Sequence, residues 1–445
     1  MDKKVSTVVA VVVIVAVIVA AAVVVMYGNN NHGGAYKIDG ALMVYGNADG
    51  DYKIDNNDVK LIEDIIDGKK DFADYPYADA TYDGKVNSDD VALTNKIIKG
   101  ESCSVNVVST HSIQDYVVSV KWPVKSAIAT GSANMLLMYS YAHIEDNIHG
   151  ICYTTSSPPN KALFPSFVKC TQIGTSTTKI NMDLASQVQK DYGVTCMLLD
   201  RTASTLKNEE PLLVEMGIDV VRLNAACVDA KSFQSQLLMI GFLFQTDTAC
   251  REIADWTQKT MDEIQKKTSK LKDDEKYSVL TANAGYPRAW ISGGNSDYKD
   301  VMIQAGANYA LSDEKLAEIS TYASGAYFNE GDTWIYDLDV DKFVAIRTGG
   351  WYSGDINIVD MWENQFALLK QMDCYKEGNV YIIPGDAPII LRVVYTAALL
   401  YPDLFTMEWA DKLNKEFMEK FYPVDINLEG KIFYITKEMV ENTIA

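Results

Sequence analysis

The sequence predicts a mixed α/β protein: an apolar N-terminal helix, then a small all-α module, then two α/β lobes joined by a long helix. Three observations carry this. An unbroken apolar run occupies 8–26. Two aspartate-rich loops, 32 residues apart, each lead into a short amphipathic stretch ending in glycine. From about residue 105 onward, apolar runs of strand length alternate with helical stretches, which implies parallel sheets.

The N-terminal run comes first. Lys3 and Lys4 precede 19 apolar residues, enough for a helix of about 28 Å. Positive charge ahead of the run places the N-terminus in the cytoplasm and the rest outside. A cleaved signal peptide is the rival, with Ala20, Ala21 and Ala22 near a cut. The run continues through Val23, Val24 and Val25, which favours an uncleaved, single-pass membrane anchor. Residues 1–35 are read as anchor and glycine-rich linker.

The two loops follow, at 47–58 and 79–90. Asn47, Asp49, Asp51, Asp55 and Asp58 fall at positions 1, 3, 5, 9 and 12 of the first. Asp79, Thr81, Asp83, Asn87 and Asp90 do so in the second. Lys53 and Lys85 hold position 7, which ligates through the main chain in such loops. Ile54 and Val86 supply the aliphatic residue at position 8. This spacing wraps a chain around a hard cation that wants six to eight oxygens, so two Ca²⁺ sites are expected. The duplication makes 36–101 one repeat-built, EF-hand-like module. Calcium removal is expected to melt it and leave the lobes folded.

Residues 105–445 are read as a two-lobed body: lobe one 105–231, a linking helix 232–272, lobe two 273–445. Strands are predicted at 126–129, 150–153, 196–199 and 220–223, then at 279–281, 309–311, 343–346 and 380–383. Between the two sets, 233–272 has no proline, a single glycine (Gly241), and apolar spacing at Ile253, Trp256, Met261 and Ile264. That pattern reads as one long helix or two abutting ones.

Ligands of open α/β sheets bind beyond the carboxyl ends of the strands. The rule selects the loops at 130–134, 154–159, 200–203, 283–295, 347–352 and 384–386. Two of these combine glycine, arginine and aromatics, in a chain with only six arginines. The predicted ligand contacts are Tyr286, Arg288 and Trp290 in one, Arg347, Trp351 and Tyr352 in the other, and Arg201 from lobe one. Arginine offers a planar fork to carboxylates, phosphates or catecholates, and aromatics offer flat apolar faces. Outside the linker only His111, His143 and His149 remain, too scattered for capture of a bare metal ion.

The formal charge is −20, and there is no basic, aromatic-laced patch, so no nucleic acid partner is expected. The seven cysteines form no CxxC pair. No nucleophile elbow, HExxH helix, phosphate loop or Ser-His-Asp set is present, so an enzyme is not expected.

The loop pair, closing on Asp58 and Asp90, resembles a dockerin domain over about 65 residues. It departs from that pattern at Asn47, at Tyr52 where glycine is usual, and at Thr81. The resemblance implies a cohesin-like partner, contacted through Asn56, Asn57, Ser88 and Asp89. The rest is similar to the substrate-binding component of an ABC importer of the iron-siderophore, haem or cobalamin type. Carrying this are Ser132 through Leu137, Ile173-Gly174-Thr175 ahead of Met182-Asp183-Leu184, Glu215 through Val221, Ala305 through Asn308, and Leu400 through Phe405. That family has two Rossmann-like lobes on one long helix. The resemblance implies an extracytoplasmic receptor that delivers a metal chelate to an ABC permease. It places a permease-docking acid near Asp183, with Glu330 and Asp337 both open for the second lobe. The alternative is a cell-surface assembly protein that docks to cohesin and has no transport role.

Overall fold

The structure is a computed structural model that describes residues 40–152, 158–174, 179–202, 205–284, 287–352, 354 and 356–444. The predicted anchor and its linker, residues 1–35, lie outside the described residues, as does Tyr286. Among the described residues, no helix is long and apolar enough to cross a membrane.

The chain opens with helices α1 (Asn56–Ile66) and α2 (Ser88–Ile98), one after each aspartate-rich loop. An antiparallel pair follows, β1 (Cys103–Ser109) and β2 (Tyr116–Trp122). Lobe one then alternates β3 (Ala127–Thr130), α3 (Ala133–Tyr141), β4 (Ile148–Cys152), α4 (Pro158–Leu163), β5 (Thr171–Gly174), α5 (Met182–Tyr192), β6 (Cys196–Asp200), α6 (Glu210–Glu215) and β7 (Asp219–Leu223). Its strands form one parallel sheet in the order β5-β4-β3-β6-β7. Every residue of β3 is buried, as are the first four of β6. Both faces are covered, and this is why these strands read as continuous apolar runs rather than alternating ones. Helix α5 is delimited by its own residues. Asn181 accepts from the backbone amides of Asp183 and Leu184 at the start, and Gly193 ends it at φ +64°.

Two helices link the lobes, α7 (Ala230–Phe244) and α8 (Asp247–Thr268). Of the two readings of 232–272, one helix or two abutting ones, the structure shows two, with the break at Gln245, which sits at φ +60°. The carbonyls that would continue the first helix are taken by lobe one. Trp122 Nε1 donates to Phe242 O at 2.8 Å, and Val124 N donates to Leu243 O at 2.8 Å. The two helices meet closely, since a Cβ on Gly241 would lie 3.0 Å from Cys250 Sγ. Buried on nearly all sides, α7 belongs to the core, while α8 is amphipathic and packs on both lobes.

Lobe two runs β8 (Ser278–Leu280), β9 (Ala282–Ala284), β10 (Arg288–Ser292), α9 (Asp297–Gln304), β11 (Asn308–Tyr309), α10 (Asp313–Ile319), β12 (Gly325–Asn329), β13 (Lys342–Arg347), α11 (Ile358–Phe366), α12 (Asp373–Lys376), β14 (Val380–Pro384), α13 (Ile389–Leu400), α14 (Met407–Phe421), β15 (Ile435–Thr436) and α15 (Lys437–Ile444). Its main sheet is β11-β8-β13-β14-β15, parallel except for β15. A second, antiparallel sheet β12-β10-β9 was not anticipated from sequence.

The loop-helix module packs into lobe one. Leu42 through Tyr45 are buried and belong to the main core, and Val44 bridges Val107 of β1. Val108 N donates to Met43 O at 3.0 Å, and Asn106 Nδ2 to Ala80 O at 2.9 Å. Gly40 bonds Gln234 and Ser235 of α7, and Arg251 of α8 lies over the Tyr52 ring at 5.7 Å.

Candidate functional site

Residues beyond the carboxyl ends of strands in both lobes come within electrostatic reach of one another at a seam, Arg201 and Asp229 of lobe one acting on Asp300 of lobe two, and Arg201 on Asp297. From lobe one come the residues after β6 and β7. From lobe two come the start of α9 and the loops after β13 and β14.

Arg201 follows β6 and is held there by its neighbours. Its backbone amide donates to Leu223 O at 2.9 Å. The loop around it is clamped by Arg222, a fully buried residue of β7. The guanidinium of Arg222 donates to the carbonyls of Asp200, Thr202 and Thr205 at 2.9–3.0 Å, and pairs with the buried carboxylate of Glu210. Tyr116 OH satisfies the other Glu210 oxygen at 2.8 Å. A buried ion pair survives only with such additional bonds.

On lobe two, Arg347 ends β13, and its Nη1 donates to Asn283 Oδ1 at 2.8 Å. Its carbonyl accepts from Gly385 N and from Trp351 Nε1, both at 2.7 Å. A Cβ on Gly385 would lie 2.7 Å from Thr348 N, so only glycine allows this approach. Asp386 then locks the loop by accepting from the amides of Gly349, Gly350 and Trp351 at 2.6–3.1 Å.

Also on lobe two, α9 begins with Asp297, whose carboxylate lies 3.9 Å from Arg392. Burial raises the Asp297 carboxyl above its ordinary range, while Arg392 and, more weakly, Arg201 of the opposite lobe pull it back. Asp300 is also raised, by burial first and then by Asp297, with Lys299 and Arg201 opposing. Asp229, capping α7, adds to that rise. The seam therefore carries arginines and aspartates from both lobes.

A small cavity of about 30 Å³ lies between residues of both lobes. Leu137, Tyr141 and Val228 line it from lobe one, Thr257 from α8, and Ile389 and Phe417 from lobe two.

The seven predicted ligand contacts divide. Arg201 lies within electrostatic reach of Asp297 and Asp300 of the opposite lobe, and Arg347 bonds Asn283 within its own lobe. Trp351 and Tyr352 face inward: they are 0% and 2% exposed and belong to the core. Tyr352 OH donates to Asn414 Oδ1 at 3.1 Å, and its ring stacks on Tyr422. The reason is the turn made at Gly350, φ +77°, where capture by Asp386 directs both rings inward. These two residues shape the Arg347 loop rather than touch a solute. Arg288 and Trp290 stand on the antiparallel sheet. Trp290 packs edge-on against Tyr322 and Tyr327, and Arg288 covers the Tyr327 ring at 4.5 Å. Trp290 pairs in register with Asn283, the partner of Arg347. None of the six described residues lines the cavity. Sequence reasoning missed Asp297 and Asp300; an acid pair on the first turn of a helix after a strand was the available signal.

The paired loops adopt the expected local form. Asp55 caps α1 and Asp58 is its third residue; Asn87 and Asp90 do the same for α2. Asp58 accepts from Asp49 N at 3.1 Å and Asp55 N at 2.7 Å. Asp90 accepts from Thr81 N, Thr81 Oγ1 and Asn87 N at 2.8–3.0 Å, and Asp79 from the amides of Asp83 and Gly84. The acidic side chains thus bond the backbone of their own loops: Asp51 accepts from Lys53 N, and Asp83 from Lys85 N. Among the described residues, no three His, Cys, Asp or Glu converge as a metal set. The kinds and order of donors nevertheless fit a hard cation. Burial first, and then the nearby Asp49 and Asp51, raise the Asp58 carboxyl above its ordinary range, against the bonds from the Asp55 and Asp49 amides. Asn47 is fully buried; its Nδ2 donates to the carbonyls of Leu42 and Asp51, and its Oδ1 has no partner.

No family model matches the sequence, and no curated protein matches it. Solved structures do share the fold. A TroA-like periplasmic binding protein, FepB from Veillonella parvula, is 15% identical with a TM-score of 0.54, covering 74% of this chain and 99% of that one. The molybdate periplasmic binding protein MolA of a Haemophilus influenzae ABC transporter, bound to molybdate, is 13% identical with a TM-score of 0.55, covering 72% and 99%. Helicobacter pylori CeuE with Ni(II) bound is 15% identical with a TM-score of 0.52, covering 72% and 97%. At these identities the likeness fixes the architecture: a mixed α/β fold with parallel sheets, as in periplasmic binding proteins.

Proposed function

We propose that this chain is the membrane-anchored, extracytoplasmic substrate-binding component of an ABC importer. It captures a metal chelate of the iron-siderophore, haem or cobalamin kind between its lobes and passes it to a permease. What supports the reading is that Arg201 directly follows β6 of lobe one and Arg347 ends β13 of lobe two, each at the carboxyl end of a parallel strand. Guanidinium groups from both sides suit a solute with carboxylate or catecholate oxygens. The fold is that of proteins whose structures hold molybdate or Ni(II), which supports a metal-containing solute. A continuous α8 of 22 residues spans both lobes and resists bending, so closure is a small rocking motion.

The N-terminal module is a calcium-loaded docking unit in this reading. Asn47, Asp49, Asp51, Asp55 and Asp58, with the main chain of Lys53, would hold one Ca²⁺. Asp79, Thr81, Asp83, Asn87 and Asp90, with the main chain of Lys85, would hold the other. Asn56, Asn57, Ser88 and Asp89 stay exposed on the first turns of α1 and α2, open to a cohesin-like partner. Mass spectrometry of the small molecules that co-purify with the full chain tests the transport reading. A metal chelate in stoichiometric amount supports it; a preparation that carries none and takes up none from growth medium removes it.

A further inference from the structure

The antiparallel sheet of lobe two has one buried face and one open face. Side chains alternate across a strand, and Ala289, Ile291, Ala326 and Phe328 turn to the core, each at most 1% exposed. Arg288 and Trp290 of β10 and Tyr327 of β12 therefore turn outward, with Trp290 directly opposite Tyr327. Tyr322 joins them from the turn before β12. The three rings meet edge to face, with centroids 4.9–6.0 Å apart. Tyr322 stays 55% exposed and Tyr327 38%.

Gly325 makes room for this cluster. A Cβ there would lie 2.9 Å from Cε2 and Cζ2 of Trp290, so the indole rests against the backbone of β12. Scattered exposed apolar residues are ordinary, but a cluster of rings fixed on one face and rimmed by polar groups marks a binding surface.

The rim is cationic. Arg288 lies over the Tyr327 ring at 4.5 Å. Asn283 of β9 stands opposite Trp290 and shares its face, and its Oδ1 accepts from Arg347 Nη1 at 2.8 Å. Two of the chain's six arginines thus flank the aromatic row. Among the described residues, the arginine ion pairs are those of Arg222 and Arg392, so Arg288 and Arg347 pair with no carboxylate. Asp332, at the same edge, is engaged by both amides of Asn329. In a chain of net charge −20, this leaves a patch of unpaired positive charge beside open rings.

We propose that this face is a seat for a planar aromatic group bearing anionic oxygens, such as an aryl carboxylate, a catecholate or the edge of a porphyrin. The ring packs against Tyr322 and Tyr327, and the oxygens accept from the flanking guanidiniums. The inference rests on the solute-capture reading above and narrows it: the solute presents a flat anionic arene to lobe two.

Saturation-transfer NMR on the full chain tests this with 2-naphthoate, 2-naphthylmethanol and decahydronaphthalene-2-carboxylate. Naphthoate should bind saturably, about fivefold tighter than the other two, which lack the charge or the aromatic ring. Tyr322→Ala and Tyr327→Ala should each weaken naphthoate about threefold. Arg288→Gln should weaken naphthoate about threefold and leave naphthylmethanol unchanged. Thermal melts establish that each variant is folded; should Tyr327→Ala not fold, Tyr322→Ala and Arg288→Gln decide. No saturable naphthoate binding, equal affinity for the three probes, or unchanged affinity in the folded variants overturns the inference. Parallel titration with a ferric catecholate, haem and an aliphatic ferric trihydroxamate separates it from the reading beneath. Naphthoate binding with the expected losses, and no chelate bound, keeps the seat and removes the importer. Capture of the trihydroxamate alone, undiminished in Tyr322→Ala and with no naphthoate bound, keeps the importer and removes the seat.

Discussion

Arg201 and Arg222 are both arginines at the end of the first sheet, yet their roles differ. Arg222 is sealed in and pairs with Glu210, so Arg222→Met should leave a buried carboxylate without its partner and cost about 3–5 kcal/mol in urea unfolding. Arg201 is part-exposed and holds no such pair, so Arg201→Ala should leave the melting temperature nearly unchanged and act on solute affinity. Asp297 gives a pH signature. Its raised carboxyl binds a proton more tightly folded than unfolded. Its contribution is therefore fully present below the ordinary carboxylate pKa and is lost as pH rises through the folded value. Asp297→Asn should gain stability relative to the wild type between pH 4 and pH 8; melts across that range showing a constant difference would contradict this. Sequence could mark the arginines as unusual in cleft loops. It could not tell that the aromatics beside Arg347 face inward, because that direction is set by Asp386, 35 residues from Trp351.

The linking segment shows how far periodicity reaches at the level of elements. Apolar spacing marks helix over most of 230–268, yet the break at Gln245 comes from contacts with Trp122 and Val124, more than a hundred residues away. The parallel strands of both lobes were legible because strands buried on both faces read as apolar runs. Strand β10 was not, since Arg288-Ala289-Trp290 follows Gly285-Tyr286-Pro287, a typical loop composition, and its neighbours β9 and β12 are short. The two-loop module was legible as a repeat, but its attachment was not. Leu42 through Tyr45 share the main core, so calcium removal should lower the unfolding midpoint of lobe one as well as of the loops, changing the expectation of separate melting. At a hundredfold excess of Ca²⁺ over its dissociation constant, each site should add about 2.7 kcal/mol to the coupled unit. Calorimetry with and without chelator checks this: a lobe transition indifferent to calcium would show the module to be energetically separate.

Taken whole, the molecule is two α/β lobes on a common helix, with polar groups along their meeting edge and a small apolar cavity between them. Strand order alone selects the loops beyond the carboxyl ends of the parallel strands as the expected site. Its chemistry was less legible, because Asp297 and Asp300 are brought toward Arg201 by packing, and an acid pair on the first turn of a helix was their one mark in the sequence. Capture between the lobes is tested most directly by isothermal titration of the full chain, using a panel of ferric chelates, haem and cobalamin against wild type and Arg201→Ala/Arg347→Ala. At least one member is expected to bind the wild type, and the double substitution to weaken it at least tenfold while the protein stays folded. Heat-silent mixing across the whole panel, or equal affinity in the two proteins, would contradict it.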